Sequence, residues 1–494
     1  MKPFLLLSLL VVLLGPAPPA LSQSPGEISY VDHSVMPDGP LGDMISELLA
    51  TINANDAAAI ANFINERCAA SFRDIAPMET HVDVFLNTYH ETGGMDFHSI
   101  RTYVPARPDE TVIILKDRNY HAWRAIVLEY NTQSDEITSL QFATARTPSN
   151  VVEPAIGSDD QLVEHITTFM QRICDKGVFS GTVLVARGDD ILFERACGEA
   201  SKRFHVPNNI DTKFNLGSMN KMFTSTAILQ LAERGKLSLD DAISMYVDTS
   251  WLPETITARV TVRHLLTHTS GLGSYFNETY WQSSRERFRK VSDYQPLVRG
   301  DFLRFEPGSD YRYSNTGMLL LGVVIESASG QDYFDYIRQH IYQPAGMRNT
   351  DCYAMDEPVE NLAIGYIPNR SNGLGWENNI YKHVLMGGPA GGGFSTVRDL
   401  HKYARAMQQG KLVSASSREA MWTDHHGHAY GYGFSVEQGK AGRIVGHGGG
   451  FPGLNANLDI FTDAGLIVAV LSNHHRGASP VARYIYDLIH RMPS

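Results

Sequence analysis

Between residues 160 and 494 the chain carries strand-like segments only at the two ends of a long helical stretch, and this restricts the folds open to it. Residues 181–186 and 191–196 are rich in β-branched and apolar side chains and flank Gly188-Asp189-Asp190, a hairpin signal. Strand patterns return at 432–436, 443–446, 454–461 and 466–472, while residues 218 to about 421 read mostly as helices. Amphipathic helices are expected at 162–174 and 479–492. Strands so far apart in sequence bury their apolar faces best by joining one sheet. The expected architecture is α+β: a mainly antiparallel sheet flanked by helices, with an inserted helical subdomain over part of residues 161–494.

Residues 27–146 read as a separate, small α+β domain. A helical pattern spans 41–68, and strands are expected at 111–115, 122–130 and 137–143. Lys116-Asp117-Arg118-Asn119 supplies a turn, because Asp and Asn side chains bond the local backbone. A helix followed by a meander of strands is similar to the cystatin-like or nuclear-transport-factor-like cone. No catalytic grouping stands out there, and His90, His98 and His121 read as structural or solvent-facing. Residues 147–160, with two prolines and a Gly-Ser pair, form the expected linker.

The N-terminus carries an address. Lys2 precedes an apolar run over residues 4–14, then a Pro-rich stretch ending in Ala20-Leu21-Ser22. Residues 1–22 are therefore expected to be a cleavable secretory signal, and the mature protein secreted or periplasmic. The run is too short to cross a hydrocarbon core of about 30 Å comfortably, and no Cys follows it for a lipid anchor. No later segment has the unbroken apolar length of a spanning helix. Asp and Glu number 54 against 42 Lys and Arg, a net charge of −12. That balance argues against nucleic acid or an anionic membrane as partner and leaves a small-molecule or peptide substrate. Oligomeric state is not encoded legibly. Four cysteines in 494 residues cannot make a disulfide framework. Cys174 and Cys197 flank the first hairpin region and either pair or stand as two buried thiols; the sequence does not choose.

The chemistry-bearing residues fall into three groups. Ser218 and Lys221 sit where Phe214-Asn215-Leu216-Gly217 leads into a helix, so the hydroxyl and amine share one face at i, i+3. A Ser hydroxyl needs a base, and a Lys serves if burial or a nearby cation lowers its pKa. Helix N-termini also favour developing negative charge. Alone, the pair is weak evidence, since Ser often caps helices. Tyr313-Ser314-Asn315 ends a turn-rich loop before an apolar helix; it offers a proton-shuttling phenol and an amide that can hold a carbonyl. His447-Gly448-Gly449-Gly450 lies at a strand end where glycines allow close approach of a backbone or ligand.

Ser218-x-x-Lys221, Tyr313-x-Asn315 and His447-x-Gly449, in this order, resemble the three motifs of the serine β-lactamase and penicillin-binding superfamily. The Tyr-x-Asn form is similar to class C β-lactamases, D-aminopeptidases, DD-carboxypeptidases and related esterases. Residues 264–272 and Gly391-Gly392-Gly393-Phe394-Ser395-Thr396 also resemble segments of that family. The resemblance covers nearly the whole second block and none of the first. It implies a β-lactamase-like fold and an acyl-enzyme on Ser218, with Lys221 and Tyr313 moving protons. It further implies backbone N–H groups of Ser218 and Gly450 at the oxyanion, with Asn315, His447 and Gly449 lining the substrate. No cofactor or metal is implied. Class C enzymes usually carry Lys-Thr-Gly where this chain has His447-Gly448-Gly449, and the Lys and Thr bind a substrate carboxylate. The departure points to an amide or ester lacking that carboxylate, unless a raised pKa lets His447 bind an anion.

Two rivals remain at this level: a true β-lactamase or penicillin-binding protein, and a non-catalytic sensor or binding protein retaining the fold. A Ser-His-Asp hydrolase is disfavoured because Gly-x-Ser-x-Gly is absent. His264 and His268 have zinc-pair spacing without the Glu of His-Glu-x-x-His, and this segment reads as structural. His425, His426 and His428 read as a polar loop.

Overall fold

In a computed structural model, residues 29–105, 110–369 and 375–493 are described. The signal expected at residues 1–22 lies outside them. The chain divides into two compact units, Met1–Pro154 and Ala155–Ser494.

The first unit is a five-stranded antiparallel meander in sequence order: Ser29–His33, Met95–Val104, Thr111–Asp117, Trp123–Asn131 and Glu136–Thr144. Helices Pro40–Ala54, Ala57–Arg67 and Met78–Thr92 contribute Met44, Ile45, Leu48, Ile60, Ile64 and Phe85 to one core with Ile113, Leu115, Ile126 and Leu128. The single helix expected over 41–68 is two. Asn55 takes a left-handed conformation (φ 52°) that ends the first, and the Asp56 carboxylate accepts the Ala59 N–H to cap the second. The expected turn holds: Asp117 accepts the Tyr120 N–H at 2.6 Å and an N–H of Arg124 at 2.9 Å.

In the second unit the two ends of the block do join. Its six-stranded sheet runs Ser435–Gly439, Gly442–Phe451, Leu454–Phe461, Leu466–Ser472, Gly181–Arg187, Asp190–Cys197, all antiparallel. Leu466–Ser472 and Gly181–Arg187 pair in register from Leu466↔Arg187 to Ser472↔Gly181, and their side chains are buried almost throughout. Asp159–Asp175 and Ala478–Ile489 pack together, with the Phe169 and Tyr484 rings stacked at 3.8 Å. Val397–Gln408 packs against the same two central strands. Cys174 and Cys197 form a disulfide, Cα–Cα 5.9 Å, tying the end of the first helix to the end of the hairpin.

Between the strands lies the helical part. Asn220–Glu233 and Asn315–Ser329 pack against each other. Asn220 to Leu231 is buried all round, which is why this helix shows no amphipathic stripe. The nucleophile turn begins it, and the Tyr-x-Asn arm begins its neighbour. Two buried helices thus present their N-termini toward one end of the sheet.

Candidate active site

Ser218 sits in a tight turn, Gly217–Met219, at the start of Asn220–Glu233. The glycine segment expected from the sequence holds that turn from behind. The Leu216 N–H donates to the Gly393 carbonyl at 2.7 Å and the Gly392 N–H to the Gly217 carbonyl at 3.0 Å. Phe214–Asn215 pairs with Phe394–Ser395 as a short ribbon.

Lys221 is fully buried, and burial holds its amine well below the usual lysine value. Its Nζ has three neighbours: Ser218 Oγ at 3.0 Å, Asn315 Oδ1 at 3.0 Å and the Ala390 carbonyl at 2.5 Å. A neutral amine has two N–H donors and one lone pair. The two carbonyl oxygens can only accept, so they take both donors and leave the lone pair facing the Ser218 hydroxyl. Burial favours this neutral state, an amine ready to take the serine proton, whereas an ammonium would donate to all three oxygens.

The Tyr313 phenol hydrogen-bonds Ser218, and its ring lies 4.8 Å from Lys221 Nζ. A phenol titrates at about pH 10 and Tyr313 is 37% exposed here, so at neutral pH it carries a proton to give. Ser314 caps Asn315–Ser329 by accepting the Gly317 N–H at 2.8 Å and donates its own hydroxyl to the Gly273 carbonyl at 2.8 Å. This anchors Asn315 at the first turn, its Nδ2 donating to Ser274 Oγ at 3.2 Å.

The glycines of the third group permit a close backbone approach. A Cβ on Gly449 would lie 1.9 Å from the Leu216 carbonyl oxygen, and one on Gly217 (φ 51°) would lie 2.9 Å from the Gly450 nitrogen. The Gly450 N–H is thereby placed beside the serine turn. Along Gly442–Phe451, pairing with Ser435–Gly439 ends at Gly446, so residues 447–451 have no ladder partner on that edge among the described residues. Gly449→Ala should displace the serine turn, cutting turnover at least tenfold and costing on the order of 2 kcal/mol of stability by overpacking. Kinetics with a chromogenic ester and a urea titration would check both; wild-type values in both would contradict the packing.

At His447 the shift runs opposite to the raised pKa that binding an anion would need. Burial pushes its imidazole down to about 3, so it is neutral and offers no cation to a carboxylate. Its Nδ1 donates to the Gly448 carbonyl at 2.5 Å, which leaves Nε2 to accept the Tyr430 hydroxyl at 3.1 Å. Both nitrogens face the protein. His268, read only as structural, is fully buried in the same neighbourhood. Its ring lies 4.4 Å from Tyr313 and 4.7 Å from Tyr430, and its Nδ1 accepts the Ser314 N–H at 3.2 Å. Burial holds it neutral as well. His264 is apart from this, in the cap of Val262–Leu266. Among the described residues no group of three or more His, Cys, Asp or Glu is arranged to hold a metal.

The buried imidazoles bear on stability. Burial pushes His383, His447 and His474 down to about 4, 3 and 3. In the unfolded chain each takes its proton near pH 6.5, so below that pH the unfolded state binds more protons and the fold loses about 1.4 kcal/mol per pH unit per imidazole. Asp459, pushed up to about 6 by burial, works in the opposite direction and offsets part of this. Urea titrations should show a net loss on the order of 5 kcal/mol between pH 7 and 4.5. A flat profile over that interval would contradict the neutral burial.

A hydroxyl, a desolvated amine and a protonated phenol converging at the mouth of this fold define a serine hydrolase. A family model described as Beta-lactamase matches residues 160–490. Penicillin-binding protein 4* of Bacillus subtilis (strain 168) is 32% identical over 327 residues, 63% of this chain and 71% of that protein. Esterase EstB of Burkholderia gladioli is 32% identical over 220 residues, 40% of this chain and 53% of that protein. A penicillin-binding protein from Bacillus halodurans superposes with a TM-score of 0.60 at 33% identity, covering 66% of this chain and 99% of that one. The chain belongs to the beta-lactamase family.

Proposed function

We propose that the protein is an exported hydrolase that cleaves an amide or ester through an acyl-enzyme on Ser218. The observation that carries this is the fully buried Lys221 amine, 3.0 Å from the Ser218 hydroxyl and held by the Asn315 and Ala390 carbonyls. Lys221 takes the Ser218 proton as Oγ attacks the carbonyl carbon. The oxyanion forms between the N–H groups of Ser218 and Gly450. Tyr313 gives its proton to the departing amine or alcohol as the C–N or C–O bond breaks, and the neighbouring Lys221 ammonium returns a proton to the phenolate. A water then adds to the ester carbon, with Tyr313 and Lys221 taking its proton, and Ser218 leaves with its proton back.

The substrate class follows from the third motif. With His447 neutral and turned inward, this strand supplies no cation for the carboxylate of a β-lactam, which favours esters or amides without one. Export is supported by the leader expected at residues 1–22 and by a Cys174–Cys197 disulfide, a bond that persists in oxidising compartments.

A fluorophosphonate should label the purified protein at Ser218, as mapped by peptide mass spectrometry. p-Nitrophenyl esters and D-amino-acid amides should be turned over faster than D-Ala-D-Ala peptides or a chromogenic cephalosporin. Labelling elsewhere or none would sink the acyl-enzyme and favour a non-catalytic binding protein. Fast cephalosporin hydrolysis would overturn the substrate class.

A further inference from the structure

Three aromatic rings beside the site take no part in the chemistry above. Phe276 lies 5.3 Å from Phe451 and 6.3 Å from Trp281, and Trp281 lies 6.2 Å from Phe451 with planes 6° apart. Tyr275 and Tyr280 are buried and support Phe276 at 4.5 and 4.8 Å. Trp281 keeps 42% of its surface exposed, and Phe276 and Phe451 are half-buried. The rings are thus held by their neighbours and partly open to solvent. Contiguous apolar surface of this kind marks a place where something binds.

Both ends of the cluster are attached to the site. Phe451 follows Gly450, whose N–H lies beside the serine turn. Phe276 stands two residues past Ser274, which accepts the Asn315 amide. Among the described residues the edge at 447–451 carries no ladder partner, so its backbone groups remain for a substrate to pair with. The two ends of that edge differ in chemistry. Near its start, the Tyr313 ring is 6.4 Å from His447, and the proton donor there requires the leaving group on that side. Phe451 is four residues on, roughly 13 Å further along an extended strand. A group carried on the acyl side, away from the proton donor, can reach it. Arg285, the cation at the cluster, donates to the carbonyls of Tyr280 and Ser283.

We propose that Phe276, Trp281 and Phe451 form the acyl pocket of this hydrolase and select substrates whose acyl moiety carries an uncharged aromatic or long aliphatic group. This rests on the acyl-enzyme reading. It is tested with p-nitrophenyl esters that share a leaving group and vary in the acyl part: acetate, butyrate, hexanoate and phenylacetate. Active enzyme is counted by fluorophosphonate titration. The ratio of kcat/KM for phenylacetate over acetate should be about tenfold or more in the wild type and fall toward unity in Trp281→Ala and Phe451→Ala. Should either variant fail to fold, Trp281→Leu and Phe451→Leu retain apolar bulk and should shift preference from phenylacetate toward hexanoate. A wild-type preference for acetate, or a ratio unchanged in the variants, would overturn the pocket while leaving the acyl-enzyme intact. Absence of labelling and of turnover on every ester would instead overturn the acyl-enzyme reading.

Discussion

Ser218→Ala should lower kcat on the order of 10⁶-fold, to background, while the protein still folds. The hydroxyl makes no helix cap, since neither the turn Gly217–Met219 nor Asn220–Glu233 is closed by a side chain. Its removal leaves Lys221 bonded to the carbonyls of Ala390 and Asn315, and the Tyr313 phenol, on a residue 37% exposed, can turn to water. Thermal unfolding should therefore stay within a few degrees of wild type, and fluorophosphonate labelling should vanish. Labelling that survives the substitution would place the nucleophile elsewhere.

Lys221→Met should cost on the order of 10³- to 10⁴-fold in kcat/KM, the usual scale for removing a general base. Met preserves much of the packing but leaves the Ala390 carbonyl without its amine partner, so a cost of about 1–3 kcal/mol is also expected. Lys221→Arg is no rescue, because a guanidinium cannot shed its proton to become a base. The wild-type pH profile reads the same group. Activity requires the neutral amine, so kcat/KM is full above the Lys221 pKa and falls as pH drops through it. Because burial pulls that pKa well below the lysine norm, the enzyme should retain activity at neutral pH. An acid limb near pH 10.5 would mean that the amine is charged at rest and cannot be the base.

Much of the site was legible because its chemistry resides in side-chain identity and short spacing. Ser218, Lys221, Tyr313 and Asn315 stand together in the structure as their order implied. The pairing of the distant strands was legible too, because their apolar pattern admits burial only in one sheet. What escaped was carried by backbone or by buried polar groups. The Ala390 carbonyl has no signature in sequence, yet it helps fix the protonation of Lys221. His268 lies in a segment whose buried role and contact with Tyr313 depend on tertiary approach. His447 could be named but not its partners, and those decide that it is neutral.

In the first unit, Met95–Val104 went unread because its pattern is broken by a buried ion pair. Arg101 reaches Asp32 on the neighbouring strand at 3.0 Å, with both side chains almost fully enclosed. A binary hydrophobic code cannot show a strand that packs Met95, Phe97 and Ile100 on the helix side and buries a charge on the other face. The helix Met78–Thr92 is similarly obscured by a buried His81 among its apolar residues. The cysteine pairing was undecidable for a simpler reason: it depends on a Cα separation, 5.9 Å, that spacing in sequence does not set.

The seam between Gly181–Arg187 and Leu466–Ser472 also sets an order of events in the life of the chain. The strand at residue 181 cannot find its partner until residue 472 has left the ribosome, so the sheet closes only after almost 300 further residues have been made. Contacts separated by almost 300 residues form slowly because a large loop must close first. The catalytic strand, two places over from that seam, completes late for the same reason. A site strand that joins its sheet so late leaves the hydrolase without that edge until the long loop has closed.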